Sequence, residues 1–141
     1  MGWYRKTFNL CDEDLRGQVT LCVGGVRLEA SVWLNGEFLG HHYGHSTAFE
    51  MRLPKALLKQ TGNELIIAVA NTSRERLGCD LRGYKGFAGG ITRPVTLKIT
   101  GETGIRDLYL HPAENNTKVI WQVQLQGSLS SEDLALEWSV T

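Results

Sequence analysis

Hydrophobic residues recur in short alternating runs over most of the chain. The richest stretch is Val26 to Asn71, VRLEASVWLNGEFLGHHYGHSTAFEMRLPKALLKQTGNELIIAVAN. At its centre Val32-Trp33-Leu34 meets Asn35-Gly36 and returns through Glu37-Phe38-Leu39-Gly40. Asn-Gly between two apolar runs predicts a type I′ hairpin, because that turn requires positive φ at both central residues. Such a hairpin sets Trp33 and Phe38 near one another across its strands. Ala48 to Leu53 alternates, with Phe49, Met51 and Leu53 on one face, and predicts another strand. After Pro54, Lys55 to Lys59 has room for about one helical turn, which Thr61-Gly62-Asn63 ends. Leu65-Ile66-Ile67-Ala68-Val69 is an apolar, β-branched run suited to a strand covered on both faces.

The flanking segments follow the same rhythm. Trp3 to Leu10 alternates imperfectly, Cys11 to Gly17 is acidic and turn-like, and Val19, Leu21 and Val23 share a face of the next strand before Gly24-Gly25. Six or seven short strands in seventy residues, without a long helical pattern, predict an antiparallel sandwich or barrel. From Thr72 to Gly90 the periodicity stops: TSRERLGCDLRGYKGFAGG carries five glycines, mixed charge and two aromatics. Irregular connections longer than roughly 12 to 15 residues are uncommon in compact domains and are usually functional or disordered. The aromatic and charged content favours an ordered binding loop. Ile91 to Thr100 resumes as strand with Val95, Leu97 and Ile99 on one face, and Pro94, lacking an N–H, belongs near its start or on a sheet edge. A second shift at Thr100 to Gly104 precedes three further strand patterns. These are Ile105 to Leu110, then Val119 to Leu125 with Val119, Trp121, Val123 and Leu125 on one face, then Leu134 to Val140. Three strands in forty residues expose more apolar surface than they can cover, and predict the start of a second sandwich. Trp33, Trp121 and Trp138 read as core residues.

Composition narrows the function classes. The 141 residues are 42% hydrophobic, enough to bury a core. Fifteen basic and fifteen acidic residues cancel, so the electrostatic term behind nucleic-acid binding and a polybasic membrane patch is missing. No apolar run approaches the roughly 20 residues of a membrane span. Three cysteines, Cys11, Cys22 and Cys79, lack CxxC spacing, which argues against a zinc site or a disulfide framework and favours a reducing, cytoplasmic setting. Cys22, inside a strand pattern, reads as a small buried hydrophobe. His41-His42-Tyr43-Gly44-His45 has no carboxylate or cysteine at a spacing that completes a tetrahedral set, so neither a metal nor a cofactor is expected.

The series Trp3-Tyr4-Arg5-Lys6, Gly25-Val26, Val32-Trp33-Leu34-Asn35-Gly36-Glu37, Leu39-Gly40-His41, Phe49-Glu50, Gly62-Asn63-Glu64-Leu65, Val69-Ala70-Asn71 and Gly89-Gly90-Ile91-Thr92-Arg93-Pro94-Val95 resembles a known domain. It is similar to the N-terminal sugar-binding domain of glycoside hydrolase family 2, the family of β-galactosidases, β-glucuronidases and β-mannosidases. The resemblance implies an all-β fold: a galactose-binding-like jelly-roll β-sandwich over residues 1–101, followed over residues 102–141 by part of an immunoglobulin-like β-sandwich. Members of the family carry several dozen residues before the strand matched by Trp3 to Lys6, which makes one or two N-terminal strands expected beyond those present. Family chemistry resides in a barrel domain that follows the sandwiches and supplies two glutamates. Retaining hydrolysis needs two carboxyl groups roughly 5 to 5.5 Å apart, and no such pair is predicted here. The Asn63-Glu64 dipeptide, at the entry to a core strand, is assigned a structural role.

The resemblance also points to substrate contacts. In β-galactosidases and β-glucuronidases of the family, the loop before the GGI-R strand carries an aspartate that reaches the substrate pocket. The corresponding position here is Tyr84, and the nearest aspartate is Asp80, four residues earlier. A carboxylate suits the task because it accepts charge-assisted hydrogen bonds from vicinal hydroxyls; Asp80 solvated or paired with Arg82 is the bland alternative. Tyr84 and Phe87 offer an apolar platform for a sugar face or pack the loop onto the sandwich. Arg93 reads as an ion-pairing or loop-anchoring residue. The expected substrate-binding set is Asp80, Arg82, Tyr84 and Phe87, with a β-galactoside or β-glucuronide and the enzyme's catalytic barrel as partners and self-association through open strand edges. A free-standing carbohydrate-binding module and a structural, protein-binding sandwich are the alternatives.

Overall fold

The computed structural model describes residues 1–71, 89–113, 117–127 and 137. The strand expected over 134–140, including Trp138, lies outside the described residues. In chain order the elements are β1 (Gly2–Phe8), α1 (Asp12–Arg16), β2 (Gln18–Val23), β3 (Arg27–Leu34), β4 (Glu37–His45), β5 (Phe49–Arg52), a 3₁₀ turn (Lys55–Leu57), β6 (Asn63–Ala70), β7 (Val95–Thr100), β8 (Gly104–Pro112) and β9 (Val119–Gln126). They divide into two units, Met1–Ile99 and Thr100–Thr141.

The first unit is a two-layer, all-β sandwich. One layer is a four-stranded sheet in the order β1-β6-β3-β4, the other a three-stranded sheet in the order β5-β2-β7. Strand alternation sends Ala30, Val32 and Leu34 of β3 and Leu65, Ile67 and Val69 of β6 inward. There they meet Val19, Leu21 and Val23 of β2 in one buried cluster. The run from Leu65 to Val69 occupies the middle of its sheet, flanked on both sides, as its continuous apolar character requires. Between the flanks formed by β1 and β7 the layers leave a cavity of about 420 Å³, lined mainly by Phe8, Leu21, Leu65, Ile67, Val95 and Leu97.

The Asn35-Gly36 turn has φ of 51° and 89°, the positive pair that its sequence demands. Its position is fixed from below by Asn63, which is fully buried. Asn63 Oδ1 accepts hydrogen bonds from the Lys59 N–H (2.9 Å) and from Asn35 Nδ2 (3.1 Å), while its own Nδ2 donates to the Lys59 carbonyl. Asn35 Nδ2 also donates to the Leu57 carbonyl (2.6 Å), and its Oδ1 accepts from the Glu64 N–H (2.7 Å). Two amide side chains therefore join the hairpin tip, the 3₁₀ turn and the start of β6. Gly62, at φ 69°, turns the chain into this network, and its N–H donates to Asn9 Oδ1 at 2.9 Å. The structural role expected for Asn63-Glu64 is thereby explained, since Glu64 also pairs with Arg5 across β1.

Several elements differ from the sequence expectation. Residues 12 to 16 form a short helix: acidic Asp12, Glu13 and Asp14 occupy its first turn, and the Asp14 carboxylate accepts the Cys11 N–H at 2.8 Å. That bond holds the Asp14 carboxyl below its ordinary range. Regular pairing of β7 begins only at Val95, because residues 91 to 94 spend their bonds on a corner: Ile91 bridges Val26, Thr92 N–H reaches the Gly25 carbonyl, and Gly24 N–H reaches the Pro94 carbonyl. Pro94 stands immediately before β7, an edge strand. His111 and Pro112, expected in a loop, extend β8 by pairing with Ile120 and Val119. Cys22 is only half-buried, and its Sγ lies 3.5 Å from Glu50 Oε1. Desolvation, then the Glu50 charge, pushes its thiol pKa upward.

The second unit, among the described residues, is the antiparallel ribbon of β8 and β9, whose strand assignments match the alternation read from the sequence. Trp121 is 37% exposed and so is not the core residue expected.

The buried amide network gives a stability prediction. Asn63→Ala leaves the Lys59 and Asn35 groups without their partner, so the first unit should lose about 2 to 4 kcal/mol, read as a lower urea midpoint at unchanged m. A loss below about 0.5 kcal/mol, the scale of an ordinary surface change, would show that water replaces the amide.

Candidate functional site

The outward face of the four-stranded sheet is unusually aromatic. Trp3 and Arg5 of β1, Glu29, Ser31 and Trp33 of β3, and Phe38, His41 and Tyr43 of β4 share it through the pairs Trp33↔Phe38, Ser31↔His41 and Glu29↔Tyr43. Trp3 and Ser31 both stand opposite Ala68 of β6, whose single methyl lets the indole of Trp3 lean across to Trp33. The two indoles stack with centroids 5.6 Å apart, and Trp33 meets Phe38 at 5.5 Å. Trp33 is therefore an outer-face residue, not the core residue expected, and the predicted closeness of Trp33 and Phe38 is what places it there. Trp3 and Phe38 remain 64% and 57% exposed.

Toward the end of β6 the face becomes polar. Ser31 Oγ lies 2.9 Å from His41 Nδ1, His41 Nε2 lies 3.9 Å from Glu29 Oε2, and the Tyr43 ring packs against His41 with centroids 4.3 Å apart. Hydroxyl, imidazole, carboxylate and an exposed aromatic face thus converge beside Ala70, the register partner of Glu29. Such a set hydrogen-bonds and stacks; it has no pair of carboxylates facing a common point. Sequence reasoning missed this cluster, although period-two spacing of Glu29, Ser31 and Trp33, and of His41 and Tyr43, carried the signal.

One residue beyond Ala70 lies Asn71, the last described residue before Gly89. Asp80, Arg82, Tyr84 and Phe87 fall within 72–88, outside the described residues, so their positions are not part of this geometry. The residues bracketing the segment meet: a Cβ placed on Gly89 would lie 3.3 Å from Asn71 Cβ. Gly90 has φ of 97° and lies against the Tyr4 hydroxyl, where a side chain would collide, and its carbonyl accepts the Arg27 N–H at 2.9 Å. Next to Arg27, Leu28 holds φ of 75°, a left-handed conformation that costs a leucine on the order of 1 to 2 kcal/mol. The start of β3 is thus strained where it receives the returning chain. Arg93 is exposed, and its Cβ closes on Gly24 at the same corner.

The profile of the family described as the second all-beta domain of β-galactosidase matches residues 1–75 of this chain. The chain belongs to that β-galactosidase domain family, a non-catalytic all-β domain of glycoside hydrolase family 2. A β-galactosidase of Thermoanaerobacter pseudethanolicus is 40% identical over 114 residues, which are 77% of this chain and 15% of that protein. Among solved structures, a candidate β-galactosidase of Bacteroides fragilis superposes with a TM-score of 0.77 at 29% identity, covering 89% of this chain and 20% of the other. A glycosyl hydrolase family 2 member from Bacteroides cellulosilyticus superposes with a TM-score of 0.62 at 27% identity, covering 77% and 14%. The chain thus spans about 15% of the length of the first curated relative it matches.

Within this β-galactosidase domain, the adjacent histidines point to opposite faces of β4. While His41 lies outside, His42 turns inward opposite Ala30 and stacks on Phe49 of β5 with centroids 4.1 Å apart, its Nε2 3.1 Å from Thr47 Oγ1. Gly44 is required beside it, since a side chain there would overlap Thr47 and crowd the imidazole. Burial, then the neighbouring His41, lowers the His42 pKa below its ordinary 6.5. The unfolded chain therefore binds the proton first as pH falls, and the stabilisation present above pH 6.5 is lost as pH drops through 6.5 toward the lower folded value. Urea midpoints taken from about pH 7.5 to about pH 5 should fall with pH, and His42→Phe should flatten that slope. An unchanged slope in the variant would assign the pH dependence to another group.

Proposed function

We propose that this chain serves as a sugar-facing scaffold in a β-galactosidase-type enzyme of the relatives' length. In this reading the 72–88 segment brings Asp80, Arg82, Tyr84 and Phe87 to the rim of a substrate pocket. The hydrolytic carboxylates come from a barrel domain of the same enzyme. Asp80 accepts hydrogen bonds from vicinal sugar hydroxyls, Arg82 balances its charge, and Tyr84 and Phe87 offer their rings to the apolar face of the sugar.

The observation that carries the reading is the meeting of Asn71 and Gly89 beside the polar-aromatic cluster. An excursion that leaves and returns at one point can project functional groups without disturbing the sandwich beneath it. A β-galactoside is favoured over a β-glucuronide by the β-galactosidase family match and the 40% identical relative.

Steady-state kinetics on the enzyme that contains this chain test the proposal. With a nitrophenyl β-galactoside, Asp80→Asn should raise KM about tenfold or more, the cost of a lost charge-assisted hydrogen bond. Preferred turnover of the nitrophenyl β-glucuronide would refute the sugar assignment, and an unaltered KM for Asp80→Asn would refute the rim role. The 141-residue chain alone should neither turn over these substrates nor bind them saturably at millimolar concentration. Tight saturable binding by the chain alone would instead support an autonomous carbohydrate-binding module.

A further inference from the structure

Asn35-Gly36 is the only step in the chain at which an asparagine or aspartate precedes a glycine. Asparagine is among the thermolabile residues, and glycine has no side chain to shield its own peptide nitrogen. In a flexible chain the Gly36 nitrogen can attack Asn35 Cγ. The N–Cγ bond forms, the Cγ–Nδ2 bond breaks, and ammonia departs with the Gly36 amide proton, leaving a five-membered succinimide. Water then opens the ring at one of its two carbonyls. Cleavage of the new N–Cγ bond gives aspartate, and cleavage of the original peptide bond gives isoaspartate, whose backbone is one methylene longer. One water is consumed and one ammonia released.

We propose that position 35 is a deamidation site gated by the fold, closed while the first unit is folded and open when it unfolds, with a product that cannot rebuild the junction. Ammonia can leave only if Nδ2 gives up the bonds it donates to the Leu57 carbonyl (2.6 Å) and to Asn63 Oδ1 (3.1 Å). Attack at Cγ also turns the planar amide tetrahedral, which draws Oδ1 out of the plane in which it accepts the Glu64 N–H at 2.7 Å. Three anchors, on the 3₁₀ turn and the start of β6, therefore have to yield before the exposed Gly36 can react. The product does not fit back. A carboxylate at position 35 sets an oxygen against the Leu57 carbonyl and Asn63 Oδ1, which are both acceptors. Asn63 cannot invert its amide to compensate, because its Oδ1 already takes the Lys59 N–H (2.9 Å) and its Nδ2 donates to the Lys59 carbonyl. Isoaspartate lengthens the turn between the paired Leu34 and Glu37 and disturbs their register. Every group of the gate belongs to the first unit, and the proposal is independent of the sugar-rim reading.

The 141-residue chain, incubated in mildly alkaline buffer with and without denaturing guanidinium chloride, tests the gate. Tryptic peptide 28–52 contains Asn35 as its one asparagine, so its mass reports conversion and chromatography separates the isoaspartate form. Conversion should be more than about tenfold slower without denaturant, since reaction then waits on opening of the junction. A smaller difference overturns the proposal. After ageing in denaturant and return to buffer, unconverted molecules should recover the original urea midpoint, while converted ones stay unfolded or melt at lower urea. A converted fraction with the original midpoint overturns the one-way step. Asn35→Asp, which supplies the aspartate product without the chemistry, should likewise lower the midpoint or prevent folding, and an unaltered midpoint in that variant counts against the proposal in the same way.

Discussion

The sandwich depends on one polar junction, the buried amide of Asn63 joined to the half-buried amide of Asn35. An amide buried without partners costs on the order of 1 to 3 kcal/mol, so its native orientation is tightly constrained by the groups that satisfy it. Here those groups belong to the hairpin tip, the 3₁₀ turn and the first residues of β6. With that end of the sheet pinned, the register of β3 against β6 follows, and a slip by one residue would turn Val32 and Leu34 outward. Packing between the layers supplies the bulk of the stability; the amides select which arrangement is packed.

Register then fixes the outer face. Once Trp33 stands opposite Phe38 and Ala68 lies between Trp3 and Ser31, the aromatic cluster and the Glu29-Ser31-His41-Tyr43 group are consequences. The polar group ends up beside Ala70, next to Asn71, because the start of β3 and the end of β4 both lie at that end of the sheet. Core and surface are thus two readings of one alternation. The inward residues hold the layers together, and the outward ones carry the groups able to recognise a ligand.

Much of this was legible in the chain itself. Asn35-Gly36 predicted its turn down to the sign of φ, and the continuous apolar run of 65–69 predicted a central strand. The face shared by Val119, Trp121, Val123 and Leu125 survives in the observed ribbon. The short helix at 12–16 was not legible, because its cap comes from a local carboxylate and not from any apolar period. The outer-face position of Trp33 was missed for a different reason. A tryptophan in a strand suggests the interior by size alone, whereas its face is decided by a register that depends on the distant Asn63. The site expected in 72–88 was read from resemblance, and alternation could not have found it, since that segment has none.

The juxtaposition of Asn71 with Gly89 has a bearing on how domains of this kind diversify. When the two ends of an insertion already touch, the entropic penalty of closing it rises only with the logarithm of its length, so doubling the insertion costs about 0.6 kcal/mol. Residues can accumulate or vanish between these stems at almost no thermodynamic expense to the body that holds them. A lineage can therefore vary the length and chemistry of what lies between these stems while leaving its packed β-structure untouched.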